Sequence, residues 1–345
     1  MEASYISTAA LRNGPRLEIT RLQAEMADRT SELATGRKAD VGLALGSDTG
    51  RMITLRNEAA LMETLMRANT ASAARLTLIQ TGLSDIRENA SEVLATLIAL
   101  PPGSQAANLM DLEGNAALDR LADRLNASDG GSFIFAGTNT GEAPFTRYED
   151  GPQVALEAAF LTKFGVAVGA PGAAAITTAD MADFLANEFA ALFDDPSWTT
   201  DWSSASSTDL ESRIALSERA VTGTNANEAA IRITTEGMTM LAGLGLAALN
   251  EETRQVVVEA ARLRLGQAVS DLAALQSGLG YSENAIAKAN ERMLLSRDLL
   301  SETIAEAEGA DPAEAKVRLD LLTTQLEMSF ALTGQLSRLS ILNYA

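Results

Sequence analysis

Residues 311–345 read DPAEAKVRLDLLTTQLEMSFALTGQLSRLSILNYA and contain two separate apolar stripes at heptad spacing. One stripe comprises Leu319, Leu322, Leu326, Ser329, Thr333, Leu336, Ser340 and Asn343, and the other comprises Leu321, Gln325, Met328, Leu332, Gln335, Leu339 and Leu342. A helix with a single stripe can bury it against its own domain, whereas two stripes require partners on two sides. The segment is therefore predicted to be a helix that takes part in assembly.

The N-terminal end carries a matching amphipathic segment. This helix is predicted to begin near Pro15 and to end at Gly36, because glycine commonly terminates helices. A stretch rich in glycine, residues 36–50, follows it and is predicted to be a loop. The predicted assembly interface combines the apolar face of this helix with the C-terminal stripes: Ile19, Leu22, Met26, Leu33, Leu319, Leu322, Leu326, Met328, Leu332, Leu336, Leu339 and Leu342.

Two much longer apolar runs lie between these ends. The first extends from Met62 to Leu100 on strict 3,4 spacing and stops at Pro101-Pro102-Gly103. The second extends from Val258 to Leu300 with the same spacing, and breakers at Gly309 and Pro312 follow it. Such runs are typical of coiled coils, so we expect the two to pair as antiparallel helices.

The middle of the chain has a different composition. Phe133-Ile134-Phe135 and residues 145–168 mix aromatic and β-branched residues with Gly and Pro, which is typical of short strands and turns. Residues 180–193 are predicted to form a short helix, and residues 194–209 a polar loop. We therefore expect a small mixed domain to be inserted between the helical arms.

Together these patterns predict a mainly α-helical fold. The N- and C-terminal arms would form a long antiparallel coiled-coil rod, with a small mixed α/β or β-rich insert at its distal end. Aromatic residues make up only 4% of the chain, and a core of Leu, Ala, Ile, Val and Met suits helix packing. The predicted segments are an N-terminal assembly helix (1–45), an N-terminal arm (46–129), the central insert (130–225), a C-terminal arm (226–308) and a C-terminal assembly helix (309–345).

The charge and composition exclude several classes of function. The formal net charge of −19 argues against a nucleic-acid partner, because phosphate binding requires clustered Lys and Arg. The same charge would be repelled by an anionic membrane surface. The chain has no Cys and no His, which removes thiol chemistry and most transition-metal sites. We therefore predict no catalytic residues, no cofactor and no metal, and neither a nucleic-acid nor a membrane partner.

The N-terminus reads Met-Glu-Ala-Ser-Tyr-Ile-Ser-Thr, without a basic segment followed by an apolar run. This predicts that no secretory signal is cleaved from it. Apolar runs of transmembrane length are missing too. The chain is expected to be cytosolic or to leave the cell by a route that reads no cleaved signal.

Three short patterns resemble functional motifs but have simpler interpretations. Asp48-Thr49-Gly50 matches an aspartic-protease triplet, although a turn before a helix is favoured here. Residues 243–248 match a dinucleotide fingerprint, but the flanking pattern is helical, so a joint entering the C-terminal arm is favoured. Trp198 and Trp202 are expected at the surface or in the core of the insert, with carbohydrate binding as the alternative.

The terminal helices have little apolar surface to bury on their own. An isolated helix in water is marginally stable, because ordering its backbone costs more than a few side chains return. We therefore predict that residues 1–35 and 312–345 are disordered or frayed in the monomer and become helical when they pack with other subunits.

Several segments resemble conserved turns of a known family. Residues 32–38, ELATGRK, are similar to the turn after the first helix of bacterial flagellins. Residues 275–284, LQSGLGYSEN, are similar to the turn region at the start of the C-terminal half of flagellins, and Asp311-Pro312-Ala313-Glu314-Ala315 is similar to the start of their terminal helix. The chain thus resembles the bacterial flagellin family over both arms.

Two further segments resemble one branch of that family. FIFAGTNT at residues 133–140, followed by Pro144-Phe145, is similar to a motif of the hook-filament junction proteins (hook-associated protein 3). The ending LSILNYA at residues 339–345 is also close to the usual terminus of that branch. Residues 41–50 lack the Asp-Asp-Ala-Ala-Gly pattern of many filament flagellins, and residues 150–210 match no family pattern.

The resemblance implies a structural protein of the bacterial flagellum, located outside the cell and exported through the flagellar type III apparatus without signal cleavage. It implies assembly as a ring between hook and filament. The implied partners are the other hook-associated junction protein, flagellin, further copies of the chain and a cytosolic export chaperone that covers the C-terminal helix. Two alternatives remain: a filament flagellin subunit, and a cytosolic enzyme with a helical oligomerisation arm.

Overall fold

The computed structural model describes residues 8–99 and 104–342, with side chains described over residues 13–99 and 106–335. Its architecture is mainly α-helical, as the sequence predicts. The helices are α1 (Thr8–Thr35), α2 (Val41–Leu45), α3 (Thr49–Ala99), α4 (Ser104–Leu125), α5 (Pro152–Phe164), α6 (Thr178–Phe184), α7 (Ala229–Gly243), α8 (Glu251–Glu308) and α9 (Pro312–Leu342). The strands are β1 (Ser128–Asp129), β2 (Ser132–Phe133), β3 (Glu211–Arg213) and β4 (Arg219–Val221).

The chain divides into two compact units. The terminal unit consists of Met1–Glu63 together with Leu294–Ala345, and the inner unit is Thr64–Met293. Several predicted features lie outside the described residues. These are the break at Pro101-Pro102-Gly103, the first residues of the N-terminal segment, the side chains of Leu336, Leu339 and Leu342, and the ending Asn343-Tyr344-Ala345.

In the terminal unit, α1 packs against α9. The predicted end of α1 at Gly36 is confirmed, but its predicted start near Pro15 is wrong, because the helix begins at Thr8 and contains Pro15. A proline inside a helix removes one backbone hydrogen bond and weakens the helix locally without always ending it. The predicted loop after Gly36 contains the short helix α2, where the Asp40 side chain accepts a hydrogen bond from the amide of Leu43 and caps the first turn.

In the inner unit, α3 and α8 run antiparallel. The Asn69 side chain donates to Oδ1 of Asn290 at 2.7 Å, and the Gln80 side chain donates to the carbonyl of Gln276 at 2.8 Å. Residue numbers therefore rise along α3 while they fall along α8. The predicted antiparallel pairing of the two long apolar runs is confirmed here. A polar pair inside an apolar seam fixes which residues face each other, because any slip would leave buried amides without partners.

Helix α4 completes this helical core by packing against α7. The Asn89 side chain of α3 donates to the carbonyl of Ala117 in α4 at 2.9 Å, and Nε of Arg120 donates to Oδ1 of Asn89 at 2.9 Å. Gly114 lies so close to α7 that a β-carbon would meet the amide nitrogen of Ala242 at 2.7 Å. Glycine is thus required at this position for α4 and α7 to approach each other.

The insert is mixed, as the sequence predicts, but its helix content is higher than expected. Residues 145–168 were predicted as strands and turns, whereas the structure has α5 there. Pro152 favours the first turn of a helix, and the alanine-rich segment that follows has high helix propensity. The strands form two antiparallel pairs, β1 with β2 and β3 with β4, with Ser128 opposite Phe133 and Glu211 opposite Val221.

An aromatic cluster fills the core of the insert. Trp198 and Trp202 are buried and stacked, with ring centroids 6.0 Å apart and an interplanar angle of 18°. Nε1 of Trp198 donates to Oδ1 of Asn227 at 2.8 Å, and the Arg232 guanidinium lies 5.2 Å from the Trp198 ring centre. The prediction of core aromatics is confirmed. Carbohydrate binding by these rings is contradicted, because neither ring has an exposed face.

The glycine-rich segment that resembles a dinucleotide fingerprint connects two helices. It follows α7, and Gly245 adopts a φ of 58°, a left-handed conformation that glycine favours. A β-carbon on Gly245 would meet the amide nitrogen of Gly169 at 2.7 Å, so the segment is a tight joint. A dinucleotide fingerprint requires a strand before the glycines, and here a helix precedes them.

Two properties of the described residues bear on function. Within them, no helix is long and apolar enough to cross a membrane. The described part of the chain also contains no group of three or more Asp, Glu, His or Cys side chains arranged to hold a metal ion.

Candidate assembly site on the terminal helices

The turn after α1 is hydrogen-bonded to the turn between α8 and α9. Arg37 and Gly309 form an antiparallel bridge, and the amide of Ala310 donates to the carbonyl of Gly36 at 3.0 Å. Gly36 adopts a φ of 68°, which lets the chain reverse direction directly after α1. The two breakers that the sequence identifies, Gly36 and Gly309, therefore meet in one joint of the terminal unit.

A buried carboxylate holds this joint together. Oε2 of Glu308 accepts hydrogen bonds from Arg37 and Arg56, both at 2.5 Å, while its backbone carbonyl accepts from the amide of Lys38 at 2.9 Å. The Glu308 side chain is 2% exposed, whereas the two arginines are about half exposed. A buried charge needs paired and hydrogen-bonded partners, so Glu308 links three segments of the chain through one oxygen.

A second buried carboxylate orients the segment that follows the joint. Glu32, near the end of α1, accepts from Nη1 of Arg29 at 2.5 Å and from the amide of Ala39 at 3.1 Å. A groove of about 330 Å³ opens beside this pair, and Leu43 on its rim is 83% exposed. The short helix α2 thus presents a large apolar side chain to solvent.

One of the two C-terminal stripes is covered. Leu22 on α1 and Leu322 on α9 are buried, at 2% and 8% exposure. The remaining described members of this stripe and of the apolar face of α1 are partly buried: Ile19, Met26, Leu33, Leu319, Leu326, Ser329 and Thr333. Because α1 packs against α9, the chain itself supplies the partner for one side of the terminal helix.

The other stripe is open to solvent. Leu321, Met328 and Leu332 are 57%, 53% and 60% exposed. Val317 and Phe330 on the same helix are also more than half exposed. Burying a side chain of this size is worth about 1.5 to 3 kcal/mol, so this face could gain several times that amount from a partner. We call Leu321, Met328 and Leu332 the open stripe.

The open stripe has few charges nearby. Between Leu321 and Gln335 the sequence contains one charged residue, Glu327. By contrast, α1 has charged pairs at its surface, such as Arg21 with Glu18, where the hydrogen bond from the arginine lowers the pKa of the carboxyl. A partner can therefore cover the open stripe without removing many charges from water, which would be costly.

The structure thus divides the predicted interface residues into two groups. Ile19, Leu22, Met26 and Leu33 lie on the helix that packs against α9, and they are buried or partly buried together with Leu319, Leu322 and Leu326. Met328 and Leu332 remain exposed, while the side chains of Leu336, Leu339 and Leu342 lie outside the described ones.

Sequence reasoning missed several residues of this site. Glu308 and Glu32 were not singled out, although Glu308 precedes one breaker and Arg37 follows the other. Opposite charges beside two helix-ending glycines are a signal that could have predicted the joint. Phe330 was missed because it lies outside both stripes, and Leu43 because its segment was taken as a loop.

Comparisons with known proteins identify relatives of both ends of the chain. Residues 6–140 match the family model of the bacterial flagellin N-terminal helical region, and residues 264–345 match that of the bacterial flagellin C-terminal helical region. Together the two regions cover more than half of the chain. No curated protein sequence shows a significant match to the chain.

Solved structures provide a further comparison. A flagellar hook-associated protein from Vibrio parahaemolyticus is 11% identical in sequence and has a TM-score of 0.51, with 76% of this chain and 97% of that chain covered. FlgL from Bacillus cereus is 12% identical, with a TM-score of 0.40 and coverage of 75% and 99%. At 11% identity, the similarity to the Vibrio parahaemolyticus structure shows a shared fold and nothing more.

Proposed function

Because the chain belongs to the bacterial flagellin family, a family of flagellar structural proteins, we propose that it joins the hook to the filament. The observation that carries the proposal is the open stripe of α9, an apolar face without a partner in the described chain. Residues 133–140 and 339–345, which resemble the hook-filament junction proteins, support the junction role over that of a filament subunit.

In this proposal the terminal helices form the assembly interface. α1 covers one stripe of α9, and neighbouring subunits cover the open stripe. Copies of the chain would associate in a ring, with the other hook-associated junction protein on one side and flagellin on the other. A cytosolic chaperone would cover α9 before export, and the chain would leave the cell without signal cleavage.

The joint at Glu308 supports the same proposal. Glu308 at the end of α8 pairs with Arg37 in the turn after α1 and with Arg56 on α3, which fixes where α9 begins. An assembly helix whose start is fixed presents its apolar face in a defined direction. It therefore loses less conformational entropy when it binds a neighbouring subunit.

The proposal is tested in a strain of the source bacterium that lacks the gene. We expect hooks without filaments and secreted, unattached flagellin, because the hook has no adaptor. Complementation with the wild-type chain should restore attached filaments in electron micrographs. Cells that keep attached filaments without the gene would contradict the junction role. Cells that secrete no filament subunit at all would instead indicate a filament flagellin.

A matched pair of variants tests the open stripe. Leu321→Ser with Leu332→Ser removes two exposed leucines of α9, and Val154→Ser with Leu161→Ser removes two comparably exposed side chains of α5 in the inner unit. We expect the first variant to be secreted but to leave filaments unattached, and the second to restore attachment. Equal attachment by both variants would show that the open stripe is not an assembly surface.

A further inference from the structure

Methionine occurs once in the open stripe. Met328 lies between Leu321 and Leu332 on the exposed face of α9 and is 53% exposed. Its thioether is therefore accessible to small solutes in the free chain. A thioether is apolar and packs like leucine, but it can also be oxidised to a polar sulfoxide.

The other described methionines are shielded from solvent. Met26 and Met66 are partly buried. The rest are almost fully buried: Met52, Met62, Met110, Met181, Met238, Met240 and Met293. The chain contains no cysteine, so no thiol competes for an oxidant. Met328 is thus the most accessible sulfur in the part of the chain whose side chains are described.

We propose that Met328 is an oxidation site, and that a peroxide acting there weakens assembly through the open stripe. The sulfur lone pair attacks one peroxide oxygen, an S–O bond forms and the O–O bond breaks. With hydrogen peroxide the second oxygen leaves as water after proton transfer. The sulfur loses two electrons and the peroxide gains them. Hydrogen peroxide is neutral, so the net charge of −19 does not repel it as it would an anionic oxidant.

The consequence for assembly rests on the proposed function. A sulfoxide is a strong hydrogen-bond acceptor, and burying it in an apolar interface without a donor is unfavourable. On this face Leu332 lies one turn after Met328 and Leu321 two turns before it, with the partly buried Gln325 between Leu321 and Met328. Oxidation of one atom would therefore convert an assembly face into one that favours water.

Peptide mapping tests the site without any assembly. The purified chain is treated with hydrogen peroxide, and sulfoxide formation at each methionine is followed by mass spectrometry. We expect Met328 to react about tenfold faster than the buried methionines, because oxidation follows exposure. Reaction of Met181 or Met238, both buried in the inner unit, as fast as that of Met328 would overturn the assignment.

Cells that lack the gene test the consequence. Peroxide should lower filament attachment about tenfold in cells carrying the wild-type chain. In cells carrying Met328→Leu, peroxide should cause no such loss relative to untreated cells of the same variant, whatever the variant's own attachment. The same relative loss in both strains would overturn the proposed effect. Failure of the untreated wild-type chain to attach filaments would instead contradict the junction role, and the peptide map would still stand.

Discussion

The inner unit and the terminal unit use the same heptad pattern with opposite results. On α3 in the inner unit, Leu76 and Leu83 are fully buried, and the aromatic core around Trp198 is closed. On α9 in the terminal unit, Leu321 and Leu332 are more than half exposed. A heptad stripe thus predicts that a helix needs a partner, but it does not say whether that partner lies in the same chain.

The difference follows from the number of helices available to each stripe. In the inner unit α3 has hydrogen-bonded neighbours in both α8 and α4. In the terminal unit α9 packs against α1, which can cover one of its two stripes. Among the described residues of the terminal unit the buried apolar side chains are few: Leu22, Met52, Met62, Ala315 and Leu322. We infer that the inner unit supplies most of the stability of the free chain.

The largest effect is expected from breaking the aromatic core. Trp198→Ala removes a buried indole, its hydrogen bond to Asn227 and its contact with Arg232. We expect the free energy of unfolding to fall by about 3 to 5 kcal/mol in urea denaturation. Val154→Ala, at an exposed position of α5, serves as the control and should change it by less than about 0.5 kcal/mol. A similar small change for both variants would contradict a closed inner core.

Breaking the joint of the terminal unit should have a local effect. Glu308→Gln removes the charge that pairs with Arg37 and Arg56, although solvent screens these half-exposed arginines. We expect the amides of Lys38 and Ala310 to exchange hydrogen about tenfold faster, which corresponds to about 1.4 kcal/mol.

The matched control for this joint is Glu302→Gln, at an exposed position of the same helix. It should leave the exchange of both amides unchanged. If Glu308→Gln also lowered the urea midpoint of the inner unit as much as Trp198→Ala does, the two units would not differ as proposed.

The stability of the inner unit is also expected to depend on pH, through the partly buried carboxyl of Asp111. Burial raises the pKa of the Asp111 carboxyl to about 6. A hydrogen bond from the Leu246 amide acts in the opposite direction and lowers this pKa, but its effect is the smaller of the two. The folded chain therefore holds this proton more tightly than the unfolded chain, and stability falls as pH rises from about 4 to about 6. One carboxylate oxygen of Asp111 is buried without a hydrogen-bond partner, which adds to the cost of the charged form.

Asp111→Asn should remove this loss, because the neutral amide can still accept from Leu246. After allowance for solvent screening, we expect the variant to be about 1 to 2 kcal/mol more stable than the wild type at pH 8. At pH 4 the two should be similar. Urea denaturation at both values measures the difference, and parallel pH profiles of the two chains would refute the assignment.

The smallest effect on the free chain is expected at the open stripe. Leu332→Ser changes a side chain that is 60% exposed, so the free energy of unfolding should change by less than about 0.5 kcal/mol. Leu22→Ser, on the covered face, is the matched variant and should destabilise the packing of α1 on α9. If Leu332→Ser and Leu22→Ser reduced the hydrogen-exchange protection of α9 by the same amount, both faces of α9 would be covered in the free chain.

The long helices could be predicted from the sequence, because heptad runs and glycine breakers are local signals. The end of α1 at Gly36 and the antiparallel pairing of α3 with α8 are examples. Helix α5 could not be predicted as easily, since Val154, Phe160 and Phe164 gave residues 152–164 a strand-like composition. The local signals for a helix, Pro152 and the alanines that follow it, were present, but the prediction gave more weight to these residues.

The candidate site was predictable in part. The two stripes of α9 follow from spacing alone, but which stripe is covered depends on where α1 packs. The pairing of Glu308 with Arg37 joins residues far apart in the sequence, so no local pattern shows that this carboxylate is buried. The exposure of Leu43 depends in the same way on how the capped turn of α2 is oriented.

The central claim is that the terminal helices depend on neighbouring subunits for their stability. Hydrogen exchange of the dilute free chain tests it most directly, with amides of α3 and α8 in the inner unit as the internal reference. The account predicts strong protection in the inner unit and weak protection from Leu319 to Leu332 in α9, which becomes strong in isolated flagella. Protection of α9 in the dilute chain equal to that of the inner unit would contradict it.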